Sequence, residues 1–379
     1  MVCPHDTLRE IAAEGAPRSL QRLEVTDDMG IIWFCLVAIL LAAYVVLDGS
    51  AIGAGILYPW IASGDAERRT VVATAGPLWR RDEVWLLATG ATLWFAFPSA
   101  FAAAYTGFHA IFVLILALLV VRAVAEVFRG HISGRPWAAV FDACFAVASI
   151  LLALSYGVLL GNVVRGVPLD ARGHFSEPLW TNFHPAGQTG ILDSYTLLLA
   201  ATAFGALALH GAVRLAAEFG EELRERALRI ASQLWWLVAL LTVAITFTTS
   251  RLLPRLVPRF RVYPWGFIFA VLAIAGLLGI KWFVHELQTR MALRASCAYL
   301  IGMIASIAFV LYPTVLPTSM NPMYGGLTVS GTMAAQGRLK TGLIWWVVGV
   351  ALVAGYTILA HRRIASEAPK PEAIAREEV

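Results

Sequence analysis

Residues 76–87 read G-P-L-W-R-R-D-E-V-W-L-L, and the interpretation of this stretch decides what kind of protein the chain forms. Two arginines, Arg80 and Arg81, and two acids, Asp82 and Glu83, lie between Trp79 and Trp85, and a helix-length apolar segment follows at once. Charges placed where a chain enters a bilayer are costly unless they face protein or water. Tryptophan favours the same depth, because its ring is apolar and its N–H needs a partner. Just upstream, Asp48 falls inside an otherwise apolar run. The two acidic spots are expected to mark the functional end of a membrane protein. The plainer alternative is a set of loop charges beside anchoring tryptophans.

The composition around this stretch agrees with a membrane setting. Of 379 residues, 59% are hydrophobic and 14% charged, against about 25% charged in a typical soluble domain. The mean hydropathy is +0.71. Apolar stretches of about 20 residues recur from Ile31 onward, each long enough for a bilayer core of about 30 Å. The expected fold is an all-α polytopic membrane protein. A β-barrel is excluded, because its strands would be short and alternating. The net charge of +4 does not imply nucleic acid, since the arginines are scattered and no basic patch interleaves with aromatics. Cys35, Cys144 and Cys297 lie in apolar segments and, with Cys3, show no metal or disulfide spacing.

Residues 1–28 are polar and lack the apolar core of a signal peptide. They are expected to be a disordered or surface-lying extension, unless Met29 is the natural start. The transmembrane domain is expected over 29–363 and a mobile tail over 364–379. Nine spans are expected, at about 30–57, 82–105, 107–128, 137–160, 191–219, 230–253, 265–286, 297–316 and 341–360. Pro59 closes the first span and Pro98 kinks the second. Gly49 and Gly53, four apart, invite close approach of another backbone. Connections after the odd-numbered spans carry the excess of Arg and Lys, which places the N-terminus outside and the Arg80 loop and C-terminus inside.

Several polar residues fall within or beside these spans. Asp48 is a candidate proton-relay or structural carboxylate facing the bundle, or else a helix-end acid meeting interfacial water. Asp82 and Glu83 are candidates for a proton path, which needs groups that exchange protons within hydrogen-bond reach, or for simple ion pairs with Arg80, Arg81 or Arg122. Arg122 and Glu126 are four apart on one face, and read as an intrahelical pair or as part of that path. Asp142 stands in the fourth span. His210, Arg214 and Glu218 form a stripe at helical spacing along the fifth. His109, His210 and His285 are the histidines within spans, and nothing in the sequence pairs any of them as haem ligands. No HExxH, P-loop, strand-linked GxGxxG or CxxCH motif occurs, so no soluble catalytic unit is apparent.

The order of these motifs resembles subunit II of cytochrome bd-type quinol oxidases. The family's D-G-x-x-x-G-x-G pattern is matched by Asp48, Gly49, Gly53 and Gly55. Its G-P-x-W-x-x-x-E-V-W-L-L pattern is matched by Gly76, Pro77, Trp79, Glu83, Val84, Trp85, Leu86 and Leu87. Phe97–Pro98, Gly107–Phe108, Arg122, L-L-G-N-V-V-R-G-V-P at 159–168, His210–Gly211, L-R-E-R-A at 223–227 and Y-P-x-x-L-P at 312–317 follow in order.

The resemblance implies two four-helix bundles plus a peripheral helix. It also implies a partner, subunit I, that carries haems b and d and oxidises quinol while reducing dioxygen to water. Subunit II itself binds no haem, supports subunit I and is a candidate to line a proton path. In some members a structural quinone is held against the tryptophan matched by Trp79, and small single-span subunits attach. Three positions depart from the pattern: Ala51, Arg80 and Val127 stand where the family commonly has acids, with Asp82 and Glu126 close by. Those departures motivate a second reading, a divergent paralogue acting as a non-redox transporter or scaffold.

Overall fold

The structure, a computed structural model, describes residues 18–65, 67–68, 71, 82–131, 135–170, 172–184, 190–319 and 325–367. The first helix, α1, runs Arg18–Ile61. After it come α2 (Val84–Ala96), α3 (Pro98–Gly107), α4 (His109–His131), α5 (Arg135–Arg165), α6 (Ser194–Glu218) and α7 (Glu221–Leu252). A short helix, α8 (Val257–Val262), leads into α9 (Phe267–His285) and α10 (Thr289–Leu311). Strands β1 (Thr314–Leu316) and β2 (Leu327–Thr328), the single turn α11 (Val329–Thr332) and the long α12 (Gln336–Glu367) complete the order. Eight helices among the described residues are long and apolar enough to span a membrane, and α2 is a shorter apolar helix. With α3, it fills the place of the expected second span.

The differences from the expected boundaries have local causes. Pro98 does more than kink the second span. Phe97 leaves helical geometry (φ −129°, ψ 63°), and Pro98 opens a new helix at its first turn, because the residue before proline is pushed out of the α region. The carbonyl of Ala96 left over at this break accepts a hydrogen bond from the Ala334 N–H at 2.9 Å. The eighth span stops at Leu311 rather than 316, since Tyr312 precedes Pro313 and turns extended (ψ 138°). Pro59 does not end α1. The chain continues to Ile61, and Arg68 reaches back to the carbonyls of Pro59 (3.3 Å) and Ala62 (3.4 Å), as a cation at a helix C-terminus should. The charged run from residue 221, expected as a link, forms the first turns of α7, where Glu221 and Glu222 complement the helix dipole.

The helices pack around α1 and α6. Of the spans, α6 is the most buried and α12 the most exposed. Small residues set the α1–α6 distance: a Cβ on Gly53 would lie 1.8 Å from the Leu207 carbonyl oxygen, and one on Gly211 would lie 2.1 Å from the Gly53 carbonyl carbon. Gly55 faces Ser149 of α5 in the same way. The α9–α10 pair repeats the device, with Gly276 against Tyr299 and Gly302 against Ala273. The peripheral α12 touches α2 through Trp346, whose indole N–H donates to Thr92 Oγ1 (3.0 Å), and through Gly342 beneath Phe95. Its outer face presents Ile344, Trp345 and Leu352. This is the arrangement of two four-helix bundles with a peripheral helix.

Candidate functional site

Buried charge is concentrated on the faces that α1, α4 and α5 turn to one another. Asp48 of α1 and Arg122 of α4 are 0% and 1% exposed. Both Arg122 terminal nitrogens donate to Asp48, Nη2 to Oδ1 at 2.6 Å and Nη1 to Oδ2 at 3.1 Å. This fork geometry is what lets two charges persist in the interior of the bundle. Arg122 therefore crosses to another helix rather than pairing along its own. Glu126, one turn further along α4, is also buried. Asp82 is buried and Glu83 half-buried just before α2 begins, and both lie within the electrostatic reach of Asp48 and Arg122. One turn from Asp48 on the other side, the hydroxyls of Tyr44 and Tyr156 meet at 2.6 Å.

A second network lies nearer the end of α1. Asp142 of α5 accepts from Arg129 Nε (2.5 Å), from Arg68 Nη1 (3.3 Å) and from the Tyr58 hydroxyl. Arg129 also reaches Asp65 at 2.5 Å. Beyond it, Arg226 of α7 donates to Glu67 (2.6 Å) and to Ser63, so the start of the 62–83 connection is tied to α7. The Arg226 guanidinium holds the Glu67 carboxyl below the usual carboxylate range. Arg214 and Glu218 pair along α6. From Asp48 to Ile61 is 13 residues of helix, about 20 Å, so the Asp48–Arg122 pair is well below this surface.

At the opposite ends of the helices is a network that sequence reasoning missed. Arg165, the last residue of α5, donates to Glu177 (2.9 and 3.2 Å), to Asn162 Oδ1 (2.7 Å), to the Gly190 carbonyl (3.0 Å) and to Asp193. Asp193 in turn caps α6, accepting from the N–H groups of Tyr195 (2.7 Å) and Thr196 (2.8 Å), while Thr196 Oγ1 accepts from the Asp193 N–H. The available signal was local: D-S-Y-T at 193–196 is a capping sequence, and Arg165 stands in the R-G-V-P turn after a long apolar run.

His210 is buried on α6, with one ring nitrogen 2.7 Å from Ser296 Oγ and the other 3.0 Å from the Val46 carbonyl oxygen. Both nitrogens are occupied by protein, so this histidine ties α6 to α1 and α10 and is not set up to ligate iron. His109 bonds the Thr106 carbonyl through Nδ1, and His285 lies at an exposed helix end. Among the described residues no group of three or more His, Cys, Asp or Glu could hold a metal ion. Trp79, Arg80 and Arg81 lie outside the described residues.

A helical multi-span fold with ion pairs buried between its helices defines the class: a polytopic integral membrane protein. The chain belongs to the cytochrome bd terminal oxidase subunit II family, whose family model matches residues 29–364. It is 28% identical over 359 residues to a probable cytochrome oxidase subunit 2 of Haemophilus influenzae, covering 88% of this chain and 93% of that one. It is 26% identical to cytochrome bd ubiquinol oxidase subunit 2 of Bacillus subtilis, covering 87% and 94%. The fold matches a chain in the structure of bd oxidase from Geobacillus thermodenitrificans with a TM-score of 0.69 at 16% identity, covering 88% of this chain and 98% of the other. The protein is thus a subunit of an oxidoreductase and a multi-pass protein of the bacterial inner membrane. These relatives give no support to the transporter reading.

Proposed function

We propose that this chain is the haem-free second subunit of a quinol oxidase, works beside a haem-bearing subunit I, and lines a path that carries protons toward that partner. The observation that carries the reading is the column of ionisable side chains on α1, α4 and the entry to α2: Asp82, Glu83, Glu126 and the Asp48–Arg122 pair. Within this column the roles divide by chemistry. Asp48 is clamped on both oxygens by a guanidinium and serves as a fixed counter-charge. Glu83, half-buried and held by no ion pair on both oxygens as Asp48 is, is the group best placed to take up and release a proton, with Asp82 and Glu126 beyond it. Haems, when bound in the complex, supply the oxygen chemistry; this chain's side chains hold and move protons and keep water out of the bundle. The occupied nitrogens of His210 support placing the haems on the partner.

A quinone against Trp79 and small single-span subunits rest on the resemblance and are part of the proposed assembly. The orientation with the N-terminus outside and the C-terminus inside rests on the distribution of Arg and Lys. Of the expected extension over 1–28, residues 1–17 lie outside the described residues and 18–28 belong to α1; of the expected tail over 364–379, α12 takes in 364–367 and the rest lies outside the described residues. Co-expression with the neighbouring large-subunit gene, purification through a tag on this chain and a reduced-minus-oxidised spectrum test the partnership. Haem b and haem d signals co-purifying with the tag are expected. Their absence, or intact quinol oxidation after deletion of this chain, would overturn it. If the quinone reading holds, Trp79→Ala lowers the quinone retained per complex; unchanged content would leave Trp79 as an interfacial anchor only.

A further inference from the structure

The link between α7 and α9 has a composition found nowhere else in the chain. Residues 251–266 read R-L-L-P-R-L-V-P-R-F-R-V-Y-P-W-G, with four arginines, and no Asp or Glu occurs from 251 to 285 or from 287 to 366. Proline-initiated turns at Pro254–Leu256 and Pro264–Gly266 flank α8, so the segment lies across the mouth of two adjacent spans, at the level of the bilayer surface. Beside it the chain leaving α10 turns at Tyr312 and runs into β1. Between the two segments is a groove of about 340 Å3, lined by Arg259, Val262, Tyr263, Tyr312, Thr314 and Thr318 among others.

Arg259 is the unusual member. Its guanidinium lies against three rings, 4.9 Å from the centroid of Tyr312, 5.3 Å from Tyr263 and 5.5 Å from Phe309. Its Nε is buried without a hydrogen-bond partner, and it makes no ion pair among the described residues. The titratable groups that influence it are the phenols of Tyr263 and Tyr312, not carboxylates. Every other half-buried or buried arginine named above has an acid. Ring faces orient a guanidinium and leave its N–H edge for a planar, oxygen-rich anion. On the outer rim, Val262, Tyr263, Trp265, Phe267 and Ile268 are exposed, forming an aromatic and apolar surface that continues down α9 into the span.

We propose that this groove binds the phosphate of an anionic membrane phospholipid, with Arg259 as the phosphate ligand, the Thr314 hydroxyl as a neighbouring donor, and the Trp265–Ile268 rim as the bed for an acyl chain. The depth is that of the lipid headgroups, and Arg matches phosphate oxygens in a fork. The same residues choose among lipids. An ammonium headgroup would need an acid that neither lining segment has, whereas exposed Arg261 and Arg251 add to the positive field. A phosphatidylglycerol-type lipid is therefore preferred over a phosphatidylethanolamine-type one.

The test uses the full chain in detergent, alone or with its partner subunit, after delipidation. Thermal unfolding is followed with added phosphatidylglycerol, phosphatidylethanolamine or inorganic phosphate, and native mass spectrometry counts retained lipids. Phosphatidylglycerol should raise the unfolding temperature more than the other two. Arg259→Gln should retain one phospholipid fewer and need at least tenfold more phosphatidylglycerol for the same shift, with Arg259→Lys intermediate. Equal lipid retention in Arg259→Gln overturns the proposal. An equal effect from inorganic phosphate overturns the lipid as the source, and an equal effect from phosphatidylethanolamine overturns the selectivity. If Arg259→Gln does not fold, photolabelling of the native protein decides. A phospholipid with a diazirine near its headgroup should mark 254–263 or 310–318; labels confined elsewhere contradict the site.

Discussion

At the scale of single residues, the Asp48–Arg122 pair is the group whose removal should be felt most. Both partners are fully buried and satisfied mainly by each other. Asp48→Asn would leave a guanidinium in a dry bundle, and breaking a buried pair in this way costs about 3–5 kcal/mol. We expect the variant to lower the unfolding temperature of the purified complex sharply; a melt like that of the native protein would mean the site is wet. Arg226 and Glu67 give a contrasting, half-exposed pair. Its contribution is at most about 1 kcal/mol and has a definite pH sign. The folded carboxyl is held below its unfolded value, so the contribution is full above the ordinary carboxylate range of about 4.3 and is lost as the pH falls through the folded value. The stability difference between native protein and Glu67→Gln should therefore be present at neutral pH and vanish in acid; a difference that grows in acid would contradict the assignment. Asp48 and Arg122 could be picked out in the sequence because a charge inside an apolar run is conspicuous, and Glu83 because it closes a charged cluster at the start of one. Their pairing could not, since Asp48 and Arg122 are 74 residues apart and meet only when helices pack. Arg165 escaped notice for the opposite reason: next to a Gly- and Pro-rich connection, a buried arginine looks like any loop charge.

At the scale of elements, glycine placement decides which helices touch. Gly53 of α1 and Gly211 of α6 bring the two backbones into direct contact. A methyl group at Gly53 meets a carbonyl oxygen, which cannot rotate away as a flexible side chain would. Gly53→Ala should cost about 3 kcal/mol or more and reduce the yield of folded protein in the membrane fraction, whereas Gly90→Ala, with open space around it, should be tolerated. Equal yields would show that the α1–α6 contact is looser than described. The Gly49/Gly53 spacing was readable as a close-approach signal, but the identity of the neighbour was not. Span positions followed from hydropathy, because a bilayer imposes a length on every apolar run. Element ends followed less well. Pro98 and Pro313 end helices because the residue before each, Phe97 and Tyr312, leaves the helical region, while α1 runs through Pro59 to Ile61. In both α1 and α2 a neighbouring group takes up an end carbonyl, Arg68 for α1 and the Ala334 N–H for α2.

At the scale of the whole molecule, three polar networks are strung along the bundle axis: Asp142 with Arg129 near one surface, Asp48 with Arg122 in the interior, and Arg165 with Glu177 and Asp193 at the other end. Two of them are saturated with ion pairs and suit a structural role. The interior one adjoins Asp82 and Glu83, and among the described residues it combines a fixed ion pair with a half-buried acid, Glu83. The family's order of motifs was legible without coordinates, because those motifs lie at helix crossings and charge sites that packing requires. Asp82 stands two positions after Arg80 and Glu126 one before Val127, whereas no acid lies within two positions of Ala51.

The most direct measurement is quinol-driven oxygen consumption by the purified two-subunit complex carrying Glu83→Gln, with haem content and unfolding temperature measured on the same sample. If Glu83 passes protons, the variant assembles with native haem content and turns over several-fold more slowly. Native turnover in a fully assembled variant, or loss of assembly rescued by a compensating charge change at Arg122, would contradict that role and leave Glu83 a structural residue.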